Sequence, residues 1–119
     1  MSGGGRVLGF YNDKNRELWI ESRGPRNAVQ DTMIHELTHA WQFAELDVKR
    51  LRRKKPEEYF LYLEGHACYM EVDIMRKLGE EEYAEFLDRQ FEQRNDEYGQ
   101  GYRMMKKIIA EKAAEGSHN

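Results

Sequence analysis

Residues 27–45 read NAVQDTMIHELTHAWQFAE, a long helical pattern that contains the pentapeptide His35-Glu36-Leu37-Thr38-His39. An α-helix turns once every 3.6 residues, so the two histidines, four positions apart, lie on one face about 6 Å apart along the axis. Both imidazoles can therefore reach one metal ion. The carboxylate of Glu36 falls beside the open coordination position and not on it. The pentapeptide thus predicts a metal site built on a helix.

The H-E-x-x-H spacing is typical of zinc hydrolases, in which the two histidines bind Zn²⁺ and the glutamate is the general base for a zinc-bound water. A chance match is the alternative. The helix around the motif argues against chance because its pattern is amphipathic, with an apolar side formed by Ile34, Leu37 and Trp41. We therefore expect His35 and His39 to be zinc ligands and Glu36 to be catalytic.

A catalytic zinc site needs a third protein ligand and leaves its fourth position to water. Glu64, separated from His39 by residues 40–63, is the best candidate. On a helix, Glu64, Cys68 and Glu71 share one face. Glu71 can then accept a hydrogen bond from the outer ring nitrogen of a metal-bound histidine. For both glutamates the alternative is a solvated helix carboxylate.

The segments His35-Glu-Leu-Thr-His-Ala-Trp41 and Glu64-Gly-His-Ala-Cys-Tyr-Met-Glu71 together resemble the gluzincin zinc metallopeptidases. The likeness is greatest to the aminopeptidase N and leukotriene-hydrolase family, whose patterns are HExxH-x-W and E-G-[FH]-[AT]-x-Y-x-E. This resemblance implies a zincin-like fold, one zinc ion held by His35, His39 and Glu64, and a water activated by Glu36. The short chain compares best with minimal single-domain gluzincins.

That family also uses a tyrosine in a Y-x-K-G motif to stabilise the oxyanion. Tyr98-Gly99-Gln100-Gly101 is similar, with glutamine in place of lysine, so the resemblance implies a catalytic role for Tyr98. Tyr102 and His66 are the alternatives. The family's G-x-M-E-N segment anchors a substrate's amino terminus through its glutamate. Gly9-Phe10-Tyr11-Asn12 stands in its place without a glutamate, so we expect a peptidase that is not an aminopeptidase.

The rest of the chain predicts an α+β fold with a small β-hairpin followed by about four helices. The hairpin strands are expected at Val7–Tyr11 and Glu17–Ser22, on either side of a turn. Apolar residues at helical spacing are expected in the core, and Cys68 as a small core residue. The expected helices span residues 27–45, 57–78, 80–94 and 98–114. In the third of these helices, at residues 80–94, the residues expected in the core are Tyr83, Phe86, Leu87 and Phe91.

Length and composition limit the possible classes of protein. The 119 residues predict one domain over 6–115, with Gly/Ser-rich tails at 1–5 and 116–119. A net charge of −3 gives no global attraction to nucleic acid or anionic membranes. One cysteine excludes an internal disulfide. No signal peptide or membrane-spanning run is present, which makes a cytoplasmic location the default expectation.

A basic run at residues 49–55 admits two interpretations. It could bind phosphate or nucleic acid, but a solvated helix turn or loop balanced by the acidic remainder of the chain is the stronger one.

Taken together, these patterns predict a zinc-dependent metallopeptidase that acts on a peptide or protein substrate lying along the outer strand of the hairpin. Two alternatives remain. One is a zinc-binding structural or interaction domain with little or no catalysis, and the other is a helical interaction module whose motif is accidental.

Overall fold

A computed structural model of the chain describes residues 8–116, in which a two-stranded antiparallel sheet precedes five helices. The predicted α+β class is confirmed. Val7 and the expected tail residues 1–5 and 117–119 lie outside the described residues, whereas Gly116, expected in a tail, ends the last helix. The elements are β1 (Gly9–Asn12), β2 (Glu17–Ile20), α1 (Arg26–Glu45), α2 (Val48–Lys54), α3 (Tyr59–Lys77), α4 (Glu81–Gln93) and α5 (Glu97–Gly116).

The hairpin turn is held by asparagine side chains. Asn12 Oδ1 accepts a hydrogen bond from the Lys14 backbone N–H at 3.0 Å, the short-range contact that favours asparagine in turns. β1 also lies close against α1, because a Cβ atom on Gly9 would come within 2.7 Å of Thr32 Cγ2. Glycine at position 9 therefore lets the sheet approach the helix that carries both histidines.

The basic run forms α2, so residues 8–116 contain five helices where about four were expected. Two local interactions explain this seven-residue helix. The Asp47 side chain caps its amino end by accepting a hydrogen bond from the Arg50 N–H at 3.0 Å, and Val48 is buried. The basic side chains themselves are exposed, as expected for a solvated helix.

The apolar core lies between α3, α4 and α5. Its buried residues include Leu87 and Phe91 of α4, as predicted. Tyr83 packs against it only partly buried, and Phe86 is wrongly assigned to the core because it is 46% exposed. Cys68 is fully buried in this core, also as predicted.

Helix α1 buries its polar side. Leu37 and Trp41, on the side predicted to be apolar, are 52% and 51% exposed. The buried residues of α1 are all polar: Asp31, Glu36, Thr38 and Gln42. Of the three residues predicted to form the apolar side, Ile34 packs against the core, partly buried, so the polar contacts orient the helix more than its apolar side does. None of the helices within residues 8–116 has the length and apolar character required to cross a bilayer.

Helices α3 and α5 cross at two glycines. A Cβ atom on Gly65 would lie 2.1 Å from the Gly101 carbonyl oxygen, and one on Gly101 would lie 2.3 Å from the Leu61 carbonyl oxygen. Only glycine allows the two backbones to come this close. The crossing fixes Glu64, which precedes Gly65, relative to Tyr98, one turn before Gly101.

We expect Gly101→Ala to lower the free energy of unfolding by about 1–3 kcal/mol, because its methyl group would overlap the backbone of α3. Urea denaturation measures the change. Gly24→Ala is the matched control, since a Cβ atom there meets only Val29 Cγ2 at 3.8 Å. Equal stability of the two variants would contradict the close crossing.

Candidate metal centre

Three side-chain atoms meet at one point between α1 and α3. Glu64 Oε1 lies 3.0 Å from His35 Nε2 and 2.8 Å from His39 Nε2, and the two Nε2 atoms are 3.1 Å apart. Ligands arranged tetrahedrally around a zinc ion at about 2.0–2.1 Å stand roughly 3.3 Å apart, so the triangle needs little adjustment to hold one. The structure thus brings together the three residues predicted as ligands.

The outer ring nitrogens are both engaged. His35 Nδ1 lies 2.5 Å from Glu71 Oε2, and His39 Nδ1 lies 2.8 Å from Gln42 Oε1. The Gln42 amide is oriented by its own N–H group, which donates to the Leu63 carbonyl at 3.0 Å. Its oxygen must therefore accept from His39.

These contacts decide where the lone pairs of the histidines point. With both Nδ1 atoms donating, both Nε2 atoms present a lone pair toward the same carboxylate oxygen of Glu64. Two lone pairs and a negative charge in one place repel one another unless a cation or a proton lies among them. The donor set of two imidazoles and a carboxylate suits Zn²⁺.

Glu71 occupies the predicted position beside His35, and it contacts a second buried acid, Asp31. Burial raises the pKa of Asp31 to about 10, and the charge of Glu71 adds to the effect. Burial also raises the pKa of Glu71 to about 8, although its hydrogen bond with Asp31 opposes the rise. Asp31 is therefore the acid of this pair that holds a proton more firmly, while Oε2 of Glu71 lies against His35 Nδ1.

The contacts of Asp31 agree with this assignment. Tyr83 donates its hydroxyl hydrogen to Asp31 Oδ2 at 3.2 Å, and the buried Oδ1 atom has no hydrogen-bond partner within residues 8–116. A buried carboxyl oxygen that receives no hydrogen bond costs less free energy when the acid is neutral than when it is charged. Sequence reasoning missed both Asp31 and Gln42. Their positions, four residues before His35 and three after His39 on one helix, are the signal that could have found them.

The electrostatics favour an ionised Glu64. Burial opposes ionisation, but when the imidazoles of His35 and His39 carry protons, their hydrogen bonds and positive charge outweigh it and lower the pKa of Glu64 to about 2. Its carboxylate is therefore charged at neutral pH and available as a ligand.

Glu36 has a different environment. It is only 8% exposed, yet it lines the cleft and makes no hydrogen bond within residues 8–116. Burial raises its pKa, while the charges of His35 and His39 act in the opposite direction. A partly desolvated carboxylate without a hydrogen-bond donor is suited to accept a proton.

The candidate metal centre lies in an open cleft of about 600 Å³ bordered by β1, α1, α3, α4 and the start of α5. Tyr98 lines this cleft, with its ring centroid 5.9 Å from that of His35. Burial, and next the charge of Glu64, raises the pKa of Tyr98, so its hydroxyl keeps its proton. The guanidinium carbon of Arg94 lies 4.8 Å from the Tyr98 ring centroid, and Asp96 binds that guanidinium.

The other candidates lie outside the cleft. Tyr102 is buried in the core and donates its hydroxyl hydrogen to Asp88 Oδ1 at 2.5 Å. His66 contacts the amide nitrogen of Gln42 and borders a groove on the opposite side of α1. Burial raises the pKa of the Cys68 thiol well above its ordinary value, which makes it a poor nucleophile. Of the three residues considered as oxyanion donors, Tyr98 is the one that the structure places in the cleft.

No family model, curated protein or solved structure matches this chain. The function must therefore be inferred from the geometry and chemistry of the centre itself.

Replacing Gln42 by Met removes the acceptor that orients His39 while preserving most of the buried volume. We expect zinc affinity to fall about 10–100-fold, the usual effect of losing such a partner. Competition against a chelating dye measures the affinity, and circular dichroism checks the fold. Gln93→Met, at an exposed position on α4, is the control. A folded Gln42→Met protein with unchanged affinity would rule out this role.

Proposed function

We propose that the protein is a zinc-dependent metallopeptidase of the gluzincin type, which hydrolyses peptide bonds with a metal-activated water. The observation that carries the proposal is the convergence of His35, His39 and Glu64 in an open cleft, beside the carboxylate of Glu36 that makes no hydrogen bond within residues 8–116. A ligand set and a separate base are the two parts that metal-assisted hydrolysis requires.

His35, His39 and Glu64 would hold the zinc ion, which when bound supplies Lewis acidity toward a carbonyl oxygen and a water. Glu36 accepts the proton of the attacking water and then passes it to the leaving amine. Tyr98 donates its hydroxyl hydrogen to the developing oxyanion. The hydrogen bonds that His35 donates to Glu71 and His39 donates to Gln42 keep both imidazoles in the orientation that this chemistry needs.

The exposed edge of β1 offers a place for an extended substrate. The Glu21 N–H donates to the Leu8 carbonyl at 2.7 Å, and because the pairing alternates along an antiparallel ladder, Gly9 and Tyr11 direct their backbone groups away from β2. Both residues line the cleft. A peptide can therefore add to β1 as a further strand and bring one of its bonds to the metal centre.

A zinc-binding structural domain without catalysis is the alternative. Structural zinc sites fill all four positions with protein ligands, most often cysteine and histidine. Within residues 8–116, three ligand atoms meet at this point and the cleft opens beside them. A set of three ligand atoms beside an open cleft would leave room for water and substrate at a bound zinc ion, and together with the adjacent carboxylate of Glu36 it favours catalysis.

Glu36→Gln keeps the shape of the side chain and removes the proton acceptor. We expect zinc content to stay at one ion per chain while peptide hydrolysis falls by about 10²-fold or more. Elemental analysis and a fluorogenic peptide assay give the two values. Glu45→Gln, at the exposed end of the same helix, is the control. Parallel loss of zinc and activity would instead make Glu36 a ligand, and full activity without Glu36 would overturn the mechanism.

Tyr98→Phe should lower kcat by roughly 10–10³-fold with little change in KM or zinc content, because the hydroxyl acts only on the transition state. Tyr102→Phe is the matched control, since it removes a hydroxyl that contacts Asp88 outside the cleft. Steady-state kinetics on both variants, at a temperature where both are folded, makes the comparison. A fully active Tyr98→Phe variant would refute the assignment.

A further inference from the structure

A second groove, of about 460 Å³, lies where the far end of β1 meets α2. Three basic side chains line it: Lys14 from the hairpin turn, and Lys49 and Arg52 from α2. Phe43 and Tyr59 supply aromatic surface between them. The groove therefore combines positive charge with a wall on which side chains can pack.

The three cations form no direct ion pair with the described part of the protein. Within residues 8–116, no ion pair is formed by Lys14, Lys49 or Arg52, all of which are exposed. Arg52 lies over the Tyr59 ring at 5.7 Å, which holds its guanidinium at the groove. Two carboxylates, Asp13 and Asp47, also border the groove. Asp47 caps α2, so its carboxylate already accepts a hydrogen bond from the Arg50 N–H.

More positive charge lies beside the groove, because Arg50, Arg53 and Lys54 are also exposed on α2. The whole chain carries a net charge of −3, so this concentration of cations is local. A local basic surface on an acidic protein attracts a partner with a few negative charges more readily than a long polyanion.

β1 connects the groove to the metal centre. Residues 9–11 line the cleft, and Asp13 and Lys14, just beyond them in the chain, line the groove. The rings of Tyr11 and Phe43, one from each cavity, are in contact with centroids 5.9 Å apart. A strand advances about 3.3 Å per residue. A peptide paired with β1 would thus place side chains roughly three to five positions from its scissile bond into the groove.

We propose that this basic groove is a specificity site that binds acidic side chains of the peptide substrate, on one side of the bond that is cleaved. The inference rests on the proposed peptidase function. Lysine and arginine at the groove pair with glutamate or aspartate of the substrate, while β1 pairs with its backbone. The open strand edge leading into the groove suits a peptide and offers nothing to the bases of a nucleic acid.

The test compares two peptides that share a cleavable centre. One carries Glu and the other Gln at positions three to five from the scissile bond, on each side in turn. We expect KM to be about 5–10-fold lower for the Glu peptide on its preferred side, the scale of three exposed ion pairs, with equal kcat. The preference should shrink at high salt.

The triple variant Lys14→Glu, Lys49→Glu, Arg52→Glu should abolish the preference and leave hydrolysis of a short neutral peptide unchanged. The control triple variant changes Arg89, Lys107 and Lys112 to Glu, which reverses three exposed charges elsewhere and should keep the preference. Equal KM values for the Glu and Gln peptides on the intact protein would overturn the groove inference while leaving the peptidase proposal standing.

Binding provides a readout that does not need catalysis. Fluorescence anisotropy with the Glu36→Gln variant should show tighter binding of the Glu peptide than of the Gln peptide. If neither peptide is cleaved by the intact protein but this difference persists and the groove variant removes it, the peptidase proposal fails and acidic-peptide binding stands. Tighter binding of a single-stranded oligonucleotide of equal charge would overturn the inference in favour of nucleic acid.

Discussion

The meeting of His35 Nε2, His39 Nε2 and Glu64 Oε1 within 3.1 Å of one another is the constraint that the rest of the structure has to satisfy. Partly buried imidazoles and a carboxylate cost free energy unless their remaining polar atoms are hydrogen-bonded. The polar side of α1 therefore turns inward, where Glu71 and Gln42 meet the outer nitrogens of the histidines. The apolar side, with Leu37 and Trp41, is left half exposed as a consequence.

Residues from three helices hold the candidate metal centre in place. Helix α1 supplies Asp31 and Gln42, α3 supplies Glu71 and the Leu63 carbonyl, and α4 supplies Tyr83. Because each imidazole is held at its Nδ1 atom by Glu71 or Gln42, the ring orientations are fixed by the protein itself. A set of ligands held in place in this way loses little freedom when it binds a metal, and that is the condition for a tight site.

The glycine crossing of α3 and α5 links binding to chemistry. Glu64 adjoins Gly65 and Tyr98 lies one turn from Gly101, so the proposed third ligand and the proposed oxyanion donor are positioned by the same interaction. Glu36 lies on α1, a helix that takes no part in this crossing. The proposed base, Glu36, and the proposed oxyanion donor, the Tyr98 hydroxyl, thus reach the cleft from two different helices. This separation suits a reaction in which the nucleophile and the oxyanion occupy different positions.

The sequence alone was enough to determine the α+β class and the alignment of His35 with His39, since helical and strand periodicity are local properties of the chain. Helical spacing also placed Glu64 and Glu71 on one face of a helix. It could not predict which residues these two side chains would contact, because the position of α3 relative to α1 depends on non-local packing. Helix spacing likewise puts Tyr98 and Tyr102 on neighbouring positions of one face, and only the packing of α5 against α3 and α4 sends one to the cleft and the other to the core. The inward polar side of α1 was equally invisible in the sequence. An apolar pattern predicts burial only when apolar contacts decide the orientation of a helix, and here buried hydrogen bonds decide it.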